Sequence, residues 1–315
     1  MPRFSFSKPS LQAVPGHVGG ALRFWNLFKT LSVQEITADA GRPFHLALIG
    51  TDDQAALLRT RLARESPIPH DLGPEGPPDV RAFVGGYATT ADAPPGSLTL
   101  DADALTADEG ALAGALTRLV AEHPDLRVAL ARNVPAFRPA AAASLIADAC
   151  KENTRIALLS ALPGVLPITA FLLPATALGD MVILTRNQGM LLLRIAAAYG
   201  KDVDLKARTR ELLPVVGGAF GWRAAARELI GLVPGGVGLA VKGAVAYAGT
   251  YTVGKAAAVY YSTGKALPAP RLRQLYRDAL ADAGARLAPL LRRAKGKGAA
   301  SEAVDAVDKG DAARV

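Results

Sequence analysis

Residues 156–200 read IALLSALPGVLPITAFLLPATALGDMVILTRNQGMLLLRIAAAYG, and no charged residue lies between Arg155 and Asp180. The stretch is too interrupted for one simple membrane span. Thr154 to Ser160 is apolar and leads into a Pro-Gly turn, which predicts a short buried strand. Pro163 and Pro167 exclude a helix interior there, because proline has no amide hydrogen and its ring clashes with the preceding turn. A helix is expected from Ile168 to Tyr199, kinked at Pro174 and stopped by a left-handed Gly200. Its first half is apolar all round, whereas its second half carries Asp180, Arg186, Asn187, Gln188 and Arg194. A helix that changes character midway lies half in lipid or half in a protein core.

Upstream, the pattern is that of an α/β domain. Phe44 to Gly50 (FHLALIG) predicts a strand ending in glycine, and a helix is expected from Asp53 to Glu65 with Thr51 or Asp52 as its cap. Strand, glycine turn and helix is the layout of a phosphate-binding loop, which needs Gly, four residues, Gly, Lys, then Ser or Thr. Gly50 is in place, but Ala55, Ala56 and Leu57 occupy the second glycine, lysine and hydroxyl positions. Asp52 and Asp53 add negative charge where a triphosphate would sit, and like charges repel. Further strands are expected at Asp79–Val84, Leu98–Leu100, Leu126–Ala131 and Arg155–Leu159, with helices at Ala111–Glu122 and Ala140–Lys151. Asp101 stands at a strand end and reads as a cap or turn residue. In a GTPase, Asn-Lys-x-Asp reads guanine; here Asn133 stands alone, with Ala136 at the carboxylate position. Ser160-Ala161-Leu162 is similar to the last GTPase motif. Residues 39–162 are therefore expected to form a degenerate GTPase-like domain with a parallel sheet.

Downstream, Lys201 to Pro214 and Phe220 to Leu232 predict helices, and Val233 to Gly264 is a second apolar block. Gly236, Ala240, Ala244, Ala248, Thr252 and Ala256 recur every four residues, a stripe that lets another backbone come close. It suits a membrane-buried helix pair, a tight soluble bundle or self-association. Arg271 to Arg293 is a basic helix, and residues 295–315 are expected to be disordered. Asp180, Asn187-Gln188, Met190, Ile195-Ala196 and Tyr199-Gly200 resemble the YcjF-like helical family of bacteria. So do Pro234-Gly235-Gly236, Tyr247, Gly249-Thr250, Gly254 and Tyr260-Tyr261. That family is of unknown function and is often fused to Era-type GTPase domains. The resemblance covers roughly residues 20–264 and implies a helical domain over 163–294 and membrane association.

Half of the 315 residues are hydrophobic and the net charge is +8, which suits an anionic membrane surface. A nucleic-acid platform would interleave aromatic with basic residues, and this chain does not. Cys150 is the lone cysteine and lies in an apolar run, so it reads as a core residue rather than a nucleophile. His70 and His123 have no partners at metal-ligand spacing. Residues 1–38 combine a lead with an amphipathic helix, Val18 to Val33, on which Leu22, Trp25, Phe28 and Leu31 share a side. That helix reads as a packing arm or an interfacial anchor. No h-region follows MPRFSFSKPS, so the body is expected on the cytoplasmic side of the inner membrane, peripheral or as a hairpin. The expectation is a non-catalytic, membrane-associated protein without cofactor or metal, whose G-like domain is an interaction module. The alternatives are a weak GTP-binding switch and a wholly soluble helical scaffold.

Overall fold

The computed structural model describes residues 33–64, 82–159, 173–203 and 238–293. The expected helix at Val18–Val33, the loop at 66–79, Ser160-Ala161, the turn at Pro163–Pro167, the helices within 204–232 and the tail from 295 lie outside these residues. In chain order the elements are α1 (Val33–Ala40), β1 (Phe44–Ile49), α2 (Asp52–Ala63), β2 (Ala82–Tyr87), β3 (Leu98–Asp101), α3 (Ala102–Ala107) and α4 (Glu109–Glu122). They continue with α5 (Arg127–Asn133), a 3-10 turn at Pro135–Phe137, α6 (Arg138–Leu159), α7 (Leu173–Ala198), α8 (Gly238–Thr263) and α9 (Ala269–Arg293).

The described part is mostly helical, with a small parallel sheet in the order β2-β1-β3. Leu46 of β1 pairs with Val84 on one side and Leu98 on the other. Side chains alternate across a strand, so Phe44, Leu46, Leu48, Ala82, Val84, Leu98 and Leu100 share one face. That face is buried against Leu58 and Leu62 of α2, Leu116 and Leu119 of α4, Leu130 of α5 and Phe137.

Two expected strands are helices. Leu126–Ala131 lies largely in α5, with helical hydrogen bonds from Leu130 N to Leu126 O (2.8 Å) and Val134 N to Leu130 O (2.7 Å). Val128, Ala129, Leu130 and Ala131 are all buried, and a short run buried on every side carries no period to separate strand from helix. Arg155–Leu159 lies in α6, continuous with the helix expected at Ala140–Lys151. Ile146, Cys150, Asn153 and Ala157 are buried at helical spacing and form one stripe across the supposed break. The third parallel strand, β2, sits slightly later than expected, at Ala82–Tyr87.

Helices α6 to α9 pack together. A Cβ on Gly254 of α8 would lie 2.6 Å from Ile146 Cγ1 of α6 and 3.1 Å from Leu191 Cδ2 of α7. A Cβ on Gly243 would lie 3.1 Å from Leu158 Cδ2 and from Leu287 Cδ1. As α8 runs forward α6 therefore runs back, while Gln188 to Leu191 of α7 advances alongside Thr250 to Gly254. The small-residue stripe is used inside the chain: Ala244 packs on Ala283 and Leu287 of α9, Ala248 on Tyr276 and Ala279, and Ala256 on Leu272. This packing leaves those positions no room for a second chain. Pro174 lies in the first described turn of α7. The helix ends as expected at Gly200 (φ +79°), with Lys201 N on Ala196 O and Gly200 N on Ala197 O, a Schellman cap. Among the described residues no helix is long and apolar enough to cross a membrane.

Candidate functional site

In an open parallel sheet, ligands bind outside the carboxyl ends of the strands, where the strand order reverses. Here that place lies between the ends of β1 and β3. Gly50 (φ +155°) turns the chain there, and a Cβ on it would sit 2.9 Å from Gln54 Oε1 and 3.2 Å from the Ala102 methyl. Thr51 caps α2 in a capping box: Gln54 N donates to Thr51 Oγ1 (3.4 Å) and Thr51 N to Gln54 Oε1 (2.9 Å). Gln54 Nε2 then donates to Asp103 Oδ1 at 2.6 Å. Asp101 caps α3 by accepting from Ala104 N at 3.1 Å, as its position at a strand end predicted. The amides of Gly50, Thr51, Gln54 and Ala104 are thus engaged by the chain itself.

The surrounding charge is negative, from Asp52, Asp53, Asp101 and Asp103. At about 5 Å and an effective dielectric of about 20, one carboxylate–phosphate pair costs about 3 kcal/mol. Ala55 is buried against β2, where a Cβ on Gly86 would be 3.0 Å from the Ala55 methyl. Ala56 and Leu57 face outward, Leu57 being 47% exposed. Asn133 Nδ2 donates to Ala129 O of its own helix (2.9 Å), and Ala136 is buried in the 3-10 turn. Neither reaches outward to read a base. His123 ends α4 through its backbone. Burial pushes the Cys150 thiol well above its usual range, and its Sγ lies 3.6 Å from Tyr247 O. Among the described residues no group of three or more His, Cys, Asp or Glu could hold a metal ion.

The motif residues of the helical half gather around a buried polar node. Asn153 of α6 and Thr250 of α8 are wholly buried, and Gln188 of α7 nearly so. Asn153 Nδ2 donates to Thr250 Oγ1 (2.8 Å), Gln188 Nε2 to the same oxygen (3.1 Å), and Asn187 Nδ2 to Asn153 Oδ1 (2.9 Å). The threonine hydroxyl gives its own proton to Ala246 O (2.9 Å). One oxygen thus joins three helices, and each bond fixes their axial register.

The chain matches no family model, no curated protein and no solved structure.

Tyr199 and Gly200 tie the far end of the bundle to the α/β layer. The Tyr199 ring stacks on Tyr261 of α8 at 6.2 Å, and the Arg138 guanidinium lies 5.8 Å from its centre. Burial raises the Tyr199 phenol, and Arg138 pulls it back down. Tyr247 stacks on Tyr251 at 6.0 Å, while Lys255 lies 5.5 Å from the Tyr251 ring centre. Gly254 marks the closest approach of α8 to α6, and Gly249 is buried. Asp180 lies on α7 toward its start.

The second sheet face also carries a cluster, which the sequence reading missed. His45, Ile49, Phe83 and Tyr87 are half-buried there, outside the core clusters of the described residues. His45 stacks on Phe83 at 4.5 Å and meets Tyr87 Oη through Nε2 at 3.0 Å. Ser97 donates to Pro94 O, so it accepts from His45 Nδ1–H, which leaves Nε2 to accept from Tyr87. With this polarity the serine proton is held by a carbonyl and the imidazole orders the β2–β3 loop; the histidine does not activate a nucleophile. Alternation along FHLALI and AFVGGY could have placed these rings on one face. Asn153 was missed because the stripe of α6 had been cut at Arg155.

Proposed function

We propose that this chain is a non-catalytic protein associated with the cytoplasmic face of the inner membrane, whose α/β part is a phosphate-loop GTPase-like layout turned into an interaction module. The strand–Gly50–helix unit at the centre of a parallel sheet supports the GTPase-like layout. What carries the non-catalytic reading is the β1–α2 turn: Asp52 and Asp53 occupy the first turn of α2, and its phosphate-binding positions are packed or apolar. The half-buried aromatic face of the sheet, with His45, Phe83 and Tyr87, is the surface for a protein partner. Anionic lipid is the second partner, favoured by the net charge of +8 and by the charge-free run between Arg155 and Asp180. Nucleic acid is no partner of this reading.

Titration calorimetry with magnesium and GTP tests the first half. Binding no tighter than millimolar is expected, and a micromolar dissociation constant would restore the nucleotide switch. Sedimentation with phosphatidylglycerol-containing vesicles, followed by carbonate extraction, tests the second. A soluble helical scaffold is the reading left if the full chain stays monodisperse in buffer and absent from the vesicle pellet.

A further inference from the structure

Two arginines converge on Tyr199 where the bundle meets the α/β layer. Arg138 opens α6, straight after the 3-10 turn at Pro135–Phe137. Its guanidinium lies 5.8 Å from the centre of the Tyr199 ring, a cation–π contact. A Cβ on Gly200 would be 3.8 Å from Arg138 Nη2, so the left-handed glycine that stops α7 places no side chain over the guanidinium. Arg64 closes α2 at the end away from Gly50, about 18 Å along the helix. There α2 packs on the 3-10 turn that leads into Arg138, and Ala63 and Tyr199 rest on the same core cluster. Arg64 is exposed, and among the described residues it is the single non-glycine with positive φ (+53°).

The two cations act on one another. Burial pulls the Arg138 guanidinium below its ordinary value, the Tyr199 phenol opposes that, and the charge of Arg64 adds to it. The chain supplies no anion to offset this. Among the described residues no carboxylate pairs with Arg64 or Arg138. Asp202, just beyond Tyr199, is taken by Arg132 at 3.6 Å, and Arg132 also donates to Lys201 O at 3.0 Å. The last carbonyls of α7 are used as well, since Ile195, Ala196 and Ala197 accept the amides of the cap. Arg138 gives its Nε–H to Ala131 O (3.3 Å), which leaves the donors of both terminal nitrogens. Tyr199 is half-buried and brings an O–H donor.

We propose that Arg64, Arg138 and Tyr199 form a binding site for a phosphate group at the junction of α2, α6 and α7. A phosphate monoester carries nearly two negative charges at neutral pH and matches two guanidinium charges, whereas a carboxylate leaves one unmatched. Paired N–H donors of a guanidinium fit phosphate oxygens two at a time, and the tyrosine hydroxyl donates to a further oxygen. Sparsely populated backbone angles gather at ligand clamps, and Arg64 holds one at the rim of this site. The site is separate from the β1–α2 turn, where Asp52 and Asp53 repel an anion. A phosphate held there bridges the α/β layer to the bundle.

The test uses the full chain in buffer without phosphate. Sodium phosphate is titrated by calorimetry at constant ionic strength, with sodium chloride as the reference. Binding at about millimolar or tighter is expected, with a rise in the melting midpoint that chloride does not give. Arg64→Gln is the deciding variant, because the side chain is exposed and its removal relieves the repulsion on Arg138. It should melt no lower than the parent without phosphate, bind phosphate about tenfold more weakly and lose the phosphate-dependent rise. Tyr199→Phe keeps the ring on Tyr261 and should weaken binding about fivefold. Arg118→Gln, exposed on α4, should bind as the parent does. Phosphate that acts no more strongly than chloride, or that binds Arg64→Gln as tightly as the parent, overturns the site. Phosphatidylcholine vesicles with and without phosphatidic acid separate the two sources of the phosphate. Sedimentation that Arg64→Gln weakens and free phosphate competes away assigns the group to a lipid headgroup. Sedimentation that is absent or indifferent to Arg64→Gln, alongside phosphate binding in solution, assigns it to a soluble phosphate ester.

Discussion

Replacing Thr250 by valine keeps the shape of the side chain and removes the oxygen on which α6, α7 and α8 converge. Asn153 Nδ2 and Gln188 Nε2 both lose that acceptor, in surroundings where Asn153 is wholly buried and Gln188 5% exposed. A buried donor left without a partner costs about 1–3 kcal/mol. The Ala246 carbonyl is little affected, because it still receives its helical amide, and threonine and valine have similar helix propensities. Thr250→Val should therefore destabilise the protein by about 2–4 kcal/mol, lowering the midpoint of thermal unfolding by on the order of 10 °C. The assay is urea unfolding followed by far-ultraviolet circular dichroism, in a double-mutant cycle with Asn153→Leu. Removing both partners leaves fewer orphaned groups, so the double variant should be less destabilised than the sum of the two, with a coupling above about 1 kcal/mol. A loss below about 0.5 kcal/mol for Thr250→Val, with additive behaviour in the cycle, would refute the claim that this node sets the register of the helices.

Gly254→Ala should cost about 1 kcal/mol net, because overpacking against Ile146 outweighs the helix propensity regained; in an Ile146→Ala background the same change should be neutral or stabilising by thermal melt. Ala248→Leu, at a fully buried position against Tyr276 and Ala279, should lose about 1–3 kcal/mol, and an unchanged melt would mean that α9 does not cover α8 as described. Cys150 is held protonated by burial, and burial likewise raises Tyr247 to about 12. The unfolded chain releases these protons first, so it binds fewer than the folded chain and stability must fall as pH rises from about 8.5. Cys150→Ala should flatten the first part of that fall in a series of urea titrations, and an identical pH profile would remove the thiol from the account.

The local chemistry of this chain was legible where one residue has one job. Gly50 needs its unusual backbone angle, Thr51 with Gln54 makes a capping box, Asp101 caps a helix and Gly200 stops one, and each follows from composition within a few residues. That the β1–α2 turn does not carry the residues of a phosphate-binding loop was equally readable, since alanine and not lysine stands at position 56. Runs without a period were decided by tertiary structure. Val128 to Ala131 and Arg155 to Leu159 fit a buried strand or a buried helix equally well, and only their neighbours on every side select the helix. The small-residue stripe of α8 announced a close approach, but whether lipid, a second copy or α9 fills it depends on how the chain folds back. The polar node was half visible. Asn187 and Gln188 stood out as polar residues on a largely apolar helix and Thr250 entered only through the family resemblance, whereas their meeting with Asn153 joins positions far apart in sequence. No local pattern encodes which helices are neighbours; that is set by the burial of whole faces against one another.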